Sequence, residues 1–283
     1  MSVSSYPLDS PAHLRLLELL REATGVDFTA YRSPTIVRRI EHRMRISGAP
    51  TLAAYLSLVG RDALELARLI DALLIKTTAM FRDDAVFTAL RERLLPALIS
   101  RRTTEGAALL STWVVGCSTG QEAFSLGMCL SEAIERVASP MEFVIFASDI
   151  DPGALETAAR GLLSVEQAAT IPQALARRFL VRHDQGFRIV DKLLETILFV
   201  RHNILDPFRP SPQRSIFASF DLISCRNLLI YLKSPAQREA LRRLAGACEP
   251  GGLLMLGGSE SLPVSMVSRL EVLDSPNPIF GLR

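Results

Sequence analysis

The chain has 283 residues, 48% hydrophobic and 22% charged, which excludes a wholly disordered or fibrous polypeptide and provides core for about two domains. Lys and Arg number 32 against 30 Asp and Glu, and the resulting +2 disfavours bulk nucleic-acid binding while allowing a local basic patch. Residues 1–11 lack the basic and apolar regions of a secretory leader, and no apolar run reaches the roughly 18 residues of a membrane span, so no membrane insertion and a cytoplasmic location are expected. The 4 cysteines form no CxxC pair and no histidines have metal-ligand spacing, so buried reduced thiols and no metal are expected.

The first third reads as helices. Ser10-Pro11 is a cap followed by an N1 proline, and Leu14, Leu17 and Leu20 keep a helical period up to Gly25. Ser33-Pro34 repeats the signal, and a helix runs through Ile36, Val37, Ile40 and Met44 to Gly48. Thr51 caps a short helix around Tyr55, residues 63–74 carry another apolar stripe, and Asp83-Asp84 opens a helix ending near Ile99. On the second helix, Arg38, His42 and Arg45 share one stripe with Arg39 and Arg43 beside it. The run reads either as a solvated face or as a docking surface for an acidic partner.

Beyond residue 109, short apolar strands alternate with helices, the pattern of a parallel sheet covered on both faces. Strands are expected at 110–115, 142–147, 196–201, 220–224 and 253–256, with a terminal antiparallel hairpin over 269–274 and 279–282. Helices follow Gly120, Asp151 and Ser234, and a small hairpin at 179–190 turns at Asp184-Gln185-Gly186 as an insertion. No long heptad pattern is present, and a monomer is expected.

The first strand runs into Gly116-Cys117-Ser118-Thr119-Gly120 and then a helix, while the next strand ends at Ser148-Asp149. A glycine turn admits a ligand to the backbone, and an acidic residue there suits a ribose diol. GxGxxG and a Walker lysine are both missing, so a nucleoside without pyrophosphate, such as S-adenosylmethionine, fits better than a dinucleotide. A structural glycine turn with a capping Asp produces the same spacing.

The segment Lys76-Thr77-Thr78-Ala79-Met80-Phe81-Arg82-Asp83 resembles the N-x-T-x-F-F-R stretch of the chemotaxis receptor methyltransferases, the CheR family. Gly116 to Leu126 resembles G-C-S-T-G-E-E-P-Y-S-L, Ala147 to Asp151 resembles A-T-D-I-D, His202 to Asp206 resembles the N-L-L-D segment, and Cys225 to Tyr231 resembles C-R-N-V-L-I-Y-F. Order and approximate spacing hold from about Arg32 to the carboxyl terminus. Lys76 stands in place of the usual Asn, Met80 in place of the first Phe, and Leu163 where a tyrosine is common.

The resemblance implies an all-α amino-terminal domain over residues 1–82 and a class I, Rossmann-like α/β methyltransferase domain over 83–283 with a small β-subdomain near 179–190. It implies methyl transfer from S-adenosylmethionine to glutamate side chains in the cytoplasmic region of chemoreceptors, giving methyl esters and S-adenosylhomocysteine. Cofactor contacts would be Thr78, Arg82, Glu122, Asp149, Asn203, Ile204, Arg226 and Asn227, with Arg82 and Tyr231 at the reacting groups. The docking reading of Arg38, Arg39, His42, Arg43 and Arg45 then acquires a partner in the acidic receptor bundle. Two other readings remain in view: a class I methyltransferase on another substrate, and a non-catalytic module sensing S-adenosylmethionine.

Overall fold

Ser10 accepts the His13 N–H at 3.3 Å and Pro11 takes the first turn, which starts α1 (Pro11–Thr24); Gly25, at φ 74°, stops it. In α2 (Ser33–Ser47), Ser33 lies inside the helix; Arg32 holds the N-cap position and offers no side-chain cap bond. Thr51 caps α3 (Leu52–Val59), and Asp62 caps α4 (Ala63–Leu73) through the Leu64 and Glu65 N–H groups. Leu16, Leu20, Ile40, Tyr55 and Leu69 are fully buried among these helices.

The computed structural model describes residues 8–74, 76–212, 219–266 and 268–283, so most of the stretch read for a secretory leader lies outside it. It divides into two compact units. The helical unit takes in Tyr231–Gln237, through a bridge between Tyr31 and Leu232 and a 2.8 Å bond from the Lys233 N–H to the Ala30 carbonyl. Residues 76–82, read as the linker at the end of the first region, cluster with the second unit.

The second unit opens with α5 (Asp84–Ala89), a π turn at Leu90–Leu94, and α6 (Leu95–Thr104), where one helix ending near Ile99 was expected. The Arg91 carbonyl within the turn accepts from Arg136 at 2.8 Å. Strands β1 (Leu109–Val115) and β2 (Glu142–Asp149) are parallel, linked by α7 (Gln121–Arg136). After α8 (Pro152–Arg160) the chain forms β3 (Leu162–Leu163), α9 (Val165–Ala169), α10 (Gln173–Phe179), β4 (Leu180–His183), β5 (Gly186–Ile189) and α11 (Asp191–Leu194). The expected 179–190 hairpin is thus two strands of a separate antiparallel sheet ordered β3-β5-β4.

The main sheet continues with β6 (Ile197–Arg201) and β7 (Phe220–Cys225); then α12 (Ser234–Ala247) leads to β8 (Cys248–Leu256), β9 (Leu270–Asp274) and β10 (Ile279–Leu282). Its order is β6-β2-β1-β7-β8-β10-β9, parallel from β6 to β8, with β10 antiparallel to both neighbours. Trp113 of β1, Phe124 of α7 and Phe220 of β7 are among the largest buried side chains, and all four cysteines are buried and free. Among the described residues, no helix is long and apolar enough to cross a membrane.

Candidate functional site

The chain lays β1, β2 and β6 outward in one direction, then resumes on the other side of β1 with β7 and β8. The strand order thus reverses between β1 and β7, and ligands in such sheets usually bind at the carboxyl ends of the strands at that reversal. The loops reaching this edge carry the glycine turn, Asp149, Asn203 and Asn227.

In the glycine turn, Gly116 and Cys117 donate to the Ser148 carbonyl at 2.8 and 2.9 Å, fastening the loop to β2. Gly120 has φ 94°, and a Cβ there would stand 2.8 Å from the Phe124 ring, so only glycine fits. Asp149 accepts the Ser118 N–H on Oδ2 at 2.8 Å and the Asp151 N–H on Oδ1 at 3.0 Å. Each carboxylate oxygen has a further lone pair for a ligand hydroxyl. Burial raises the Asp149 pKa, against those two N–H bonds. The Ser118 hydroxyl is buried without a hydrogen-bond partner among the described residues.

Residues 76–83 are tied across this edge by side chains from three elements. Lys76 pairs with Asp151 at 3.1 Å, and Ser125 of α7 accepts the Phe81 N–H at 2.9 Å. Arg226 donates to the Arg82 carbonyl and to Asp83, each at 2.7 Å. Asp83, at the N-cap position of α5, makes no side-chain cap bond; its carboxylate goes to Arg226. Phe81 and Asp83 both hold positive φ, 49° and 62°.

The Arg226 side chain is 2% exposed and its other arm grips Glu122 at 2.8 and 3.0 Å, with the Phe87 ring centroid 5.5 Å away. Ser224 donates to the same Glu122 carboxylate at 2.8 Å. Glu122 and Arg226, both expected as ligand contacts, are thus bonded to one another, and Arg226 braces the segment carrying Thr78 and Arg82. Arg82 is half-buried, with its guanidinium 3.5 Å from the Thr77 carbonyl.

After β6, Asn203 Oδ1 accepts the Leu205 N–H at 3.0 Å, and Arg243 of α12 donates to the Ile204 and Asp206 carbonyls. His202 bonds the Arg209 carbonyl at 2.8 Å and lies 5.5 Å edge-on to Trp113; burial lowers its pKa. Sequence reading passed over Glu260, which accepts the Asn227 N–H at 3.1 Å.

In the helical unit, the five basic residues of α2 divide. Arg43 forms two bonds to Glu65, at 2.6 and 3.1 Å, and Arg39 donates to the Ala72 carbonyl. Arg38, His42 and Arg45 are exposed. The expectation that all five present free charge is therefore corrected: α2 packs on α4, and that contact takes up Arg39 and Arg43. The Tyr231 carbonyl accepts the Arg32 N–H at 2.8 Å, and this residue clusters with the helical unit.

Comparison with known proteins adds an independent line. Residues 76–279 match the model described as CheR methyltransferase, SAM binding domain, and residues 14–74 match CheR methyltransferase, all-alpha domain. The chain is 30% identical to a chemotaxis protein methyltransferase of Klebsiella aerogenes over 93% of its own length and 87% of that protein. It is 29% identical to chemotaxis protein methyltransferase 2 of Pseudomonas aeruginosa, over 86% and 84% respectively. An uncharacterized 104.1 kDa protein of Rhodobacter capsulatus is 39% identical over 94% of this chain, which spans only 27% of that protein.

Proposed function

Since the chain belongs to the CheR methyltransferase family, whose SAM-binding domain covers most of it, we propose that it esterifies glutamate side chains of chemoreceptor cytoplasmic regions. The observation that carries this reading is the tethering of residues 76–83 to α7 and to the loops after β2 and β7, which gathers the motif residues at one sheet edge. The edge fits S-adenosylmethionine: Asp149 retains acceptor capacity, and the Ser118 hydroxyl is buried without a partner among the described residues. When bound, that cofactor supplies an electrophilic methyl group on a sulfonium.

The rest of the chemistry concerns what the chain positions. Asp149 would accept ribose hydroxyls, Asn203 and Ile204 would border the base, and Thr78, Glu122 and Asn227 would meet polar groups of the cofactor. Arg226 would act through Arg82 and Glu122 rather than on the ligand. A free glutamate ionises near 4.3, so no general base is required; the enzyme must align the carboxylate and strip its water. Arg82 can hold a carboxylate by a charge-assisted pair, and Tyr231 can orient an oxygen. Arg38, His42 and Arg45 would dock the receptor, at a cytoplasmic location.

Transfer of radiolabelled methyl groups to receptor cytoplasmic fragments tests the reading. Base-labile label on the fragments is the expected result. Cofactor binding without transfer would instead make the protein a sensor, and base-stable label would point to another acceptor group.

A further inference from the structure

The loop after β8 holds a buried carboxylate with an unusual set of partners. Glu260 is 9% exposed. Its Oε2 accepts the N–H groups of Gly257 at 2.6 Å and Asn227 at 3.1 Å; its Oε1 accepts those of Leu229 at 2.7 Å and Ile230 at 3.3 Å. One side chain thereby gathers main-chain donors from most of the turn that follows β7.

Asn227 sits in that turn at φ 57°, a left-handed conformation that asparagine tolerates better than other side-chain-bearing residues. Gly257 presses on it from the other loop. A Cβ at Gly257 would stand 2.8 Å from the Asn227 nitrogen, 3.0 Å from its Nδ2 and 2.9 Å from Glu260 Oε2. The asparagine amide is thus confined by a glycine surface on one side and by a carboxylate beneath its own N–H.

We propose that Glu260 is a positioning residue for Asn227, so that the loop after β8 forms part of the cofactor site. The proposal rests on the placement of Asn227 in that site made above. The chemistry explains why a carboxylate is present: its two oxygens offer in-plane lone pairs to several N–H groups at once. An amide would turn an N–H toward N–H donors, and an aspartate is one methylene too short to span both loops. Sequence reading had no signal for this, because every partner is a backbone group.

A double-mutant cycle on the full chain tests it, read by calorimetric titration with S-adenosylhomocysteine. Asn227→Ala and Glu260→Gln are each expected to weaken binding about tenfold. The double variant should lie within about twofold of Asn227→Ala, because Glu260 acts through the residue already removed. Should Glu260→Gln cost the same factor in both backgrounds, or cost nothing in the wild type, the proposal is overturned. Unchanged affinity in Asn227→Ala would overturn the site assignment first and the proposal with it. If Glu260→Gln does not fold, as judged by emission of the single Trp113, Gly257→Ala replaces it in the same cycle. That variant crowds the asparagine directly and carries the same expected non-additivity.

Discussion

Replacing Arg43 should destabilise the helical unit rather than alter receptor affinity. Glu65 is 3% exposed, and its carboxylate is held by Arg43 through two bonds and by the Tyr55 hydroxyl at 2.9 Å, with Arg68 3.9 Å away at the rim. Arg43→Ala leaves that buried charge with Tyr55 and the rim arginine alone. Breaking a buried pair costs about 3–5 kcal/mol. The remaining partners place this case near the lower end, about 3 kcal/mol. In a unit of this length each kcal/mol moves Tm by about 4–8 °C, so far-UV dichroism should show the helical transition fall by more than about 10 °C. Arg38→Glu and Arg45→Glu, on exposed positions, should stay within about 0.5 kcal/mol of wild type and raise KM for the receptor. If Arg43→Ala melts with wild type while the two exposed reversals unfold the unit, the assignment of inward and outward faces on α2 is wrong.

Asp149→Ala should weaken S-adenosylhomocysteine by about 1.5–3 kcal/mol, and calorimetry showing unchanged affinity would remove Asp149 from the ribose position. Burial raises the Asp149 pKa above its ordinary 3.8, and ribose hydroxyls donate best to the ionised form. Affinity should accordingly hold at neutral pH and decline on acidification before pH 3.8 is reached; Asp149→Asn should lose this dependence. His202 and His13 are both held below the ordinary 6.5 by desolvation, so the unfolded chain binds more protons just below that pH. Their contribution to stability is complete above 6.5 and is lost as pH falls through the folded values; urea titrations with a flat profile there would contradict this. Arg82→Ala should lower turnover by orders of magnitude and Tyr231→Phe much less, so near-wild-type rates in both would take them out of the active site.

The legible parts of the fold were those set by neighbouring residues. Ser10, Thr51 and Asp151 cap the helices that follow them, and the strand ending at Asp149 stands beside the glycine turn as its spacing suggested. Features set by distant partners were misread or missed. Arg43 looks like surface charge until α4 brings Glu65, 22 residues on, against it. Asp83 reads as an acidic residue opening a helix until Arg226 claims its carboxylate across 143 residues. The two-residue β3 pairs with β5 through main-chain groups, which no side-chain alternation announces, and α9 and α10 are too short for a periodic stripe.

The membership of Tyr231–Gln237 in the helical unit bears on how the chain is made. Leu232 is buried there, Arg32 donates to the Tyr231 and Leu232 carbonyls, and Lys233 donates to Ala30. Domains generally fold in order as the amino end leaves the ribosome. Here the amino-terminal helices are synthesised long before the segment around Leu232 that bridges to Tyr31, and β1, β2, β6 and β7 all emerge in between. The first unit to be translated is therefore completed only after most of the second has appeared. A nascent chain arrested before residue 231 should leave the Ala30 carbonyl and the Arg32 N–H without their partners at Lys233 and Tyr231 and the segment more open to proteolysis, and emergence of Gln237 should protect it.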